Sequence, residues 1–226
     1  MLIDGGGLPA LPEKADAGFV RRPTRETAVR VTFVDAPEGL AGVRDPGCVA
    51  AIWRRQPEDA FQTWLDRLEP EQLPHARAIL RARDVRAAMG HICDEAGTPS
   101  GSERLRLVDD VATLANLFAG LMRVNLLRLR LDVIATNACP KFHIDAVPAR
   151  LICTYRGAGT QYGASIDGAE PRRIFNVPTG APIVLRGTDW KGDRPSGLLH
   201  RSPPIEGRAE ARLVLVLDPI EDRATK

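Results

Sequence analysis

The hydrophobic period changes once along this chain, and that change constrains the fold more than any other feature. From about residue 57 to about residue 122 apolar residues recur at helical spacing. Leu107, Val111, Leu114, Phe118 and Leu121 alternate steps of four and three, behind a turn cluster GTPSGSE in which Ser102 is placed to cap a helix. From Leu127 the period falls to two: Leu127, Leu129, Leu131, Val133 and Ala135 share one face, and Arg128, Arg130, Asp132 and Ile134 share the other. Every later apolar run is short and bounded by Gly, Pro or charge: FHID (142–145), ARLICTYR (149–156), RIFNV (173–177), APIVLRG (181–187), GLLH (197–200) and ARLVLVLD (211–218). Helices followed by closely spaced strands predict an α+β protein with an antiparallel barrel or sandwich, and argue against a doubly wound sheet.

Three regions follow. Residues 1–45 mix Gly, Pro and charge and read as an N-terminal extension, partly flexible, with one strand in VRVTFV (29–34). Residues 46–126 read as a mainly helical supporting region. There CVAAIWRR is a short strand, and Pro57-Glu58-Asp59 opens a helix carrying Phe61, Trp64 and Leu68. A second helix is expected over Glu71 to Met89 with Gly90 at its end. Residues 127–226 form the β region.

Of 226 residues 44% are hydrophobic and 27% charged, enough to bury one core as a single functional unit. Lys+Arg 31 against Asp+Glu 29 gives a net charge of +2 with no basic stripe, so nucleic acid is not an expected partner. Leu213 to Leu217 is far short of the ~20 apolar residues a membrane helix needs, and MLIDGGGLPALPEK does not read as a secretory signal. No membrane association and a cytoplasmic location are therefore expected. Cys48, Cys93 and Cys153 read as small buried hydrophobes, and Cys139 stands apart because it precedes a histidine by four positions.

Four histidines are available. His75 and His91 suit helix ends. His143 and Asp145 stand at i and i+2, which on a strand projects an imidazole and a carboxylate to one side, a ready chelate. His200 is the remaining histidine of the β region. Two imidazoles and one carboxylate on one face of a metal leave open positions opposite, the arrangement of non-haem iron(II) oxygenases. Arg212 opens the last strand, where a cationic fork can clamp a carboxylate. Arg150 and Tyr155, on the strand after the chelate, are further candidates for holding a cosubstrate. GAGTQYG (157–163) almost matches a dinucleotide fingerprint, but its third glycine is displaced and no helix follows, so it reads as a turn beside the site.

CPKFHID, GAPIVLRG and LLHRSPPIEGRAEARLVLVLD together resemble the iron(II)/2-oxoglutarate dioxygenases, over roughly the last 90 residues. That resemblance implies a double-stranded β-helix, a cupin-like or jelly-roll-like barrel, with the N-terminal helices packed on one sheet. It implies His143, Asp145 and His200 as the catalytic iron ligands. Arg212 would bind the far carboxylate of 2-oxoglutarate, with Arg208 as its competitor. WRR (53–55) with FHIDAVPARLICTYRGAGTQY resembles, over most of the chain from about Cys48, the bacterial family known as domain of unknown function 1826. Members of that family are often encoded beside zinc-responsive GTPase metallochaperones, so this second resemblance implies a link with metal supply.

Three readings are open at this point. One is an oxygenase that uses Fe(II) and 2-oxoglutarate on an unidentified substrate. The second is a non-catalytic protein of zinc homeostasis in which Cys139, His143, Asp145 and His200 close a four-ligand Zn(II) site. The third is a binding module whose triad is a hydrogen-bonded structural cluster. The direction of the Cys139 thiol separates the first two, because a thiolate on the metal occupies the position a cosubstrate needs.

Overall fold

A computed structural model describes residues 28–165, 169–192, 195–207 and 210–221. Residues 1–27 of the expected extension, and Arg208, lie outside the described residues. Ten strands form two sheets. The larger is built from β1 (Arg30–Val34), β2 (Cys48–Trp53), β3 (Ala76–Arg81), β4 (Leu126–Ile134), β5 (Ala149–Arg156), β8 (Pro182–Arg186) and β10 (Arg212–Ile220), in the order β1-β2-β8-β5-β10-β4-β3. The smaller has β6 (Gln161–Ala164), β7 (Phe175–Asn176) and β9 (Leu198–Arg201), in the order β7-β6-β9. Pairing is antiparallel throughout except between β1 and β2. No described helix is long and apolar enough to cross a membrane.

The large sheet has two different faces, and period-two alternation decides which residue goes where. Leu127, Leu129 and Leu131 of β4, Leu151 and Cys153 of β5, and Leu213, Leu215 and Leu217 of β10 are all fully buried on one face. They pack in a single core with α1 (Asp59–Arg67), α2 (Val85–Glu95) and α3 (Ser102–Met122), which contributes Leu107, Val111, Leu114 and Phe118. Each leucine so buried stabilises the fold by roughly 1.5–3 kcal/mol. The opposite face carries Ile52, Ile152, Ile183, Leu185 and Val214, which form a second core with Tyr162 and Leu198 of the small sheet. The space between the two sheets is where the polar residues of β4, β5 and β10 also point.

Three sequence expectations change in detail. Residues 71–89 do not form one helix. Ala76–Arg81 is β3, alternating half-buried and exposed and paired along its whole length with β4, and the helix that follows runs through Gly90 to Glu95. Pairing with β4 at the edge of the large sheet outweighed a helical spacing of Leu73, Ala76, Ile79 and Leu80 that was only partly regular. Ser102 does not cap α3: Gly101 is the cap residue, and the Ser102 hydroxyl bonds Glu103 instead. FHID is not a strand. His143 alone pairs there, exchanging both backbone hydrogen bonds with His200 at 3.0 Å.

Candidate metal centre

That single bridge sets the geometry of the centre. It ties the loop after β4 to β9, so the His143 and His200 rings sit side by side with centroids 4.6 Å apart. Asp145, two residues on, is anchored by its backbone. Its carbonyl accepts the Thr188 N–H at 2.9 Å, and Gly187 passes so close that a Cβ there would meet the Asp145 carbonyl oxygen at 2.6 Å and that of Val147 at 2.0 Å. Only a glycine allows this approach. The GAPIVLRG motif therefore ends in the residue that lets the chelate loop lie against the large sheet.

His143, Asp145 and His200 converge, with one ligand atom of each lying within 4.8 Å of the others. His143 Nε2 is 3.5 Å from Asp145 Oδ1, and His200 Nε2 is 3.0 Å from Asp145 Oδ2. The His143 Nδ1–H donates to the Lys141 carbonyl at 2.9 Å, which leaves Nε2 with its lone pair facing the carboxylate. Asp145 Oδ2 is buried and has no hydrogen-bond partner among the described residues, although His200 Nε2 lies 3.0 Å away. A carboxylate with one orphaned oxygen, flanked by one imidazole nitrogen on each of its two oxygens, is a donor set that fits a divalent cation.

The electrostatics point the same way. Burial works to raise Asp145, but its close contacts with His143 and His200 and the nearby Arg150 outweigh it and hold the carboxyl well below the usual range. His143 is raised by its contact with Asp145, whereas burial lowers His200. The acid is thus ionised and the deeper imidazole neutral, the states in which both can act as ligands.

A cavity of about 100 Å³ opens onto this cluster, lined among others by Cys139, Arg150, Thr160, Arg212, His143 and His200. It suits a small acid rather than a nucleotide-sized cofactor, whose sites run to roughly 300 Å³ and more. Arg212 forms its far wall and is 1% exposed. Its Nε donates to the Ala158 carbonyl at 2.6 Å and its Nη2 lies 3.5 Å from the Thr154 hydroxyl, while Nη1 is buried with no partner among the described residues. The turn after β5 therefore supports the site as the sequence suggested. Burial lowers the Arg212 guanidinium to about 10.

Arg150 reaches the cluster in a different role from the one expected. Its Nη1 bonds Asp145 Oδ1, while Nε and Nη2 grip Asp218 at 2.6 and 2.9 Å, so its donors are spent on protein. Tyr155 does not reach the cluster. It points into the helical core, where its hydroxyl donates to Asp110 Oδ2 at 2.6 Å beside the bidentate Arg55–Asp110 pair. Cys139 lines the cavity, but among the described residues it is not one of the converging ligands. Asp218 escaped the sequence reading. Its signal was a carboxylate ending the apolar run LVLVLD, on the same face as Arg212.

The family described as Protein of unknown function (DUF1826) matches residues 34–218. The chain belongs to this family. Among solved structures the fold is similar to dioxygenase for auxin oxidation 1 from Arabidopsis thaliana in its 2-oxoglutarate binary complex. That match has a TM-score of 0.53 and 11% identity, and covers 88% of this chain and 94% of that one. It is also similar to the rice dioxygenase for auxin oxidation, with a TM-score of 0.50 and 13% identity over 86% of this chain and 84% of that one. At such identities the likeness establishes a shared mixed α/β jelly-roll architecture. No curated protein matches the sequence.

Proposed function

We propose that the protein is a non-haem iron(II)- and 2-oxoglutarate-dependent oxygenase acting on an unidentified substrate, with its two sheets as the walls of a double-stranded β-helix. One observation carries this reading. The two histidines of a two-histidine, one-carboxylate cluster line the same small cavity as a buried arginine with an N–H that has no partner among the described residues. His143 Nε2, Asp145 Oδ2 and His200 Nε2 would hold the iron, which with 2-oxoglutarate supplies the oxidising chemistry of dioxygen. Arg212 supplies the fixed cation for the distal carboxylate, in a site dry enough to make that contact count. The protein's own part is positioning: the His143–His200 bridge and the Asp145 anchor set the donors before any ligand arrives.

The test is turnover of the purified protein with iron(II), 2-oxoglutarate and dioxygen, following succinate and oxygen consumption. Slow succinate release is expected without a substrate. Asp145→Ala should abolish it and weaken iron binding. Protein that binds iron yet neither binds nor decarboxylates 2-oxoglutarate would refute the proposal.

A further inference from the structure

Asp145 presents its two oxygens to very different surroundings, and the difference is built by residues from three segments. Oδ1 is held by Arg150 of β5, whose side chain is 15% exposed, with His143 Nε2 3.5 Å away, while Oδ2 faces His200 with no hydrogen-bond partner among the described residues. Arg150 cannot swing away from this task. Its remaining donors form a fork on Asp218 of the neighbouring strand β10, a side chain only 4% exposed. Arg130 of β4 flanks the same carboxylate, with Nη2 3.5 Å from Asp218 Oδ2.

Resting on the oxygenase reading, we propose that Arg150, locked by Asp218, is a positioning residue for the metal: it occupies Oδ1 of Asp145, so the carboxylate meets a divalent cation through Oδ2 alone. A guanidinium beside a metal ligand would by itself repel the cation. The fork on Asp218, a carboxylate that Arg130 shares, offsets part of that charge, so Arg150 fixes the orientation of Asp145 at a reduced electrostatic cost to the cation. The consequence is coordination number. Three single-atom protein donors leave the opposite positions of an octahedral ion free, and a second Asp145 oxygen would consume one of the positions a chelating cosubstrate and dioxygen need.

The experiment measures cobalt(II) binding to the metal-free protein, by calorimetry and by the cobalt visible spectrum. Three proteins are compared: wild type, Arg150→Lys, and the double variant Arg150→Gln/Asp218→Asn. The double variant removes both buried charges together and keeps the fold testable if Arg150→Lys does not express. Partners that orient a ligand typically contribute about 10–100-fold in metal affinity, and that loss is expected in both variants, with a changed cobalt spectrum and a near-native metal-free melting temperature. In an Asp145→Ala background the same substitutions should change residual cobalt binding by less than about twofold, because the residue through which they act is gone. Variants that bind cobalt as the wild type does, with the same spectrum, overturn the inference while leaving the oxygenase reading intact. A wild type that binds no cobalt or iron overturns both.

Discussion

Arg212 carries a cost in the ligand-free protein that an anionic cosubstrate should relieve, and the size of that cost can be worked out. The side chain is 1% exposed and its guanidinium is lowered by burial to about 10, with Glu210 only partly compensating. The ordinary value is about 12.5, and each tenfold change in proton affinity is worth about 1.4 kcal/mol, so holding the charge inside costs on the order of 3 kcal/mol. The sign follows directly: a cation whose folded pKa is depressed destabilises the fold at every pH below about 10, neutral pH included, and the penalty fades only as pH rises above that. Replacing Arg212 by Met removes the penalty but strands the Ala158 carbonyl, which now accepts from Nε at 2.6 Å, and an unmet buried acceptor costs about 1–3 kcal/mol. The two effects nearly cancel. Equilibrium urea unfolding of metal-free Arg212→Met should thus fall within about 1 kcal/mol of wild type, or about 2–4 °C in melting temperature. With cobalt(II) present, 2-oxoglutarate at about 100 times its Kd should stabilise the wild type by about 2.7 kcal/mol and the variant hardly at all. A variant that loses several kcal/mol without ligand, or that keeps the full stabilisation by 2-oxoglutarate, refutes the assignment of Arg212 as an anion anchor.

Three further outcomes follow from the same geometry. Cobalt affinity should fall as pH drops through the His143 titration, which its contact with Asp145 places above the ordinary imidazole value of about 6.5; an acid limb seen only in the carboxylate range would contradict this. Cys139→Ser should leave metal affinity within about twofold of wild type, since the thiol is not among the converging ligands, and a tenfold loss would return it to the coordination sphere. Asp110→Asn should cost about 2 kcal/mol in urea unfolding by uncoupling the Arg55 fork. That is at the low side for a broken ion pair because about a fifth of each side chain still meets solvent. Metal affinity should be untouched, because this pair lies on the helical side of the large sheet.

The β half of the fold was legible because its apolar runs are short, strand-length and bounded by Gly, Pro or charge. β4, β5, β8, β9 and β10 all stand where alternation and Gly or Pro boundaries put them. β3 was not legible. ARAILR has its small and large apolar residues spaced so that helix and strand are both satisfied, and only the nine-residue β4 beside it decides. The histidines and Asp145 were found by residue type and spacing, yet for a partly wrong local reason. They converge from an irregular loop stapled to β9 by one bridge, and no periodicity in FHID could announce a partner some fifty residues later.

Alternation also contained a correction that the motif reading passed over. On a regular strand Arg150 and Tyr155, an odd number of positions apart, cannot point the same way. One candidate had to face the site and the other the opposite core. The neighbours of each decide which: Ile152 joins the core between the sheets, whereas Leu151 and Cys153 join the helical one. Arg150 therefore shares the site's face, and with it comes Asp218, which stands on that face of β10 in phase with Arg212, Val214 and Val216. An arginine and an aspartate facing each other inside an otherwise apolar sheet must pair, because neither could bear burial alone. Once Asp218 takes two of the guanidinium's nitrogens, the third meets the carboxylate of Asp145. The orientation of the candidate iron ligand thus follows from strand phase as much as from the His-x-Asp motif.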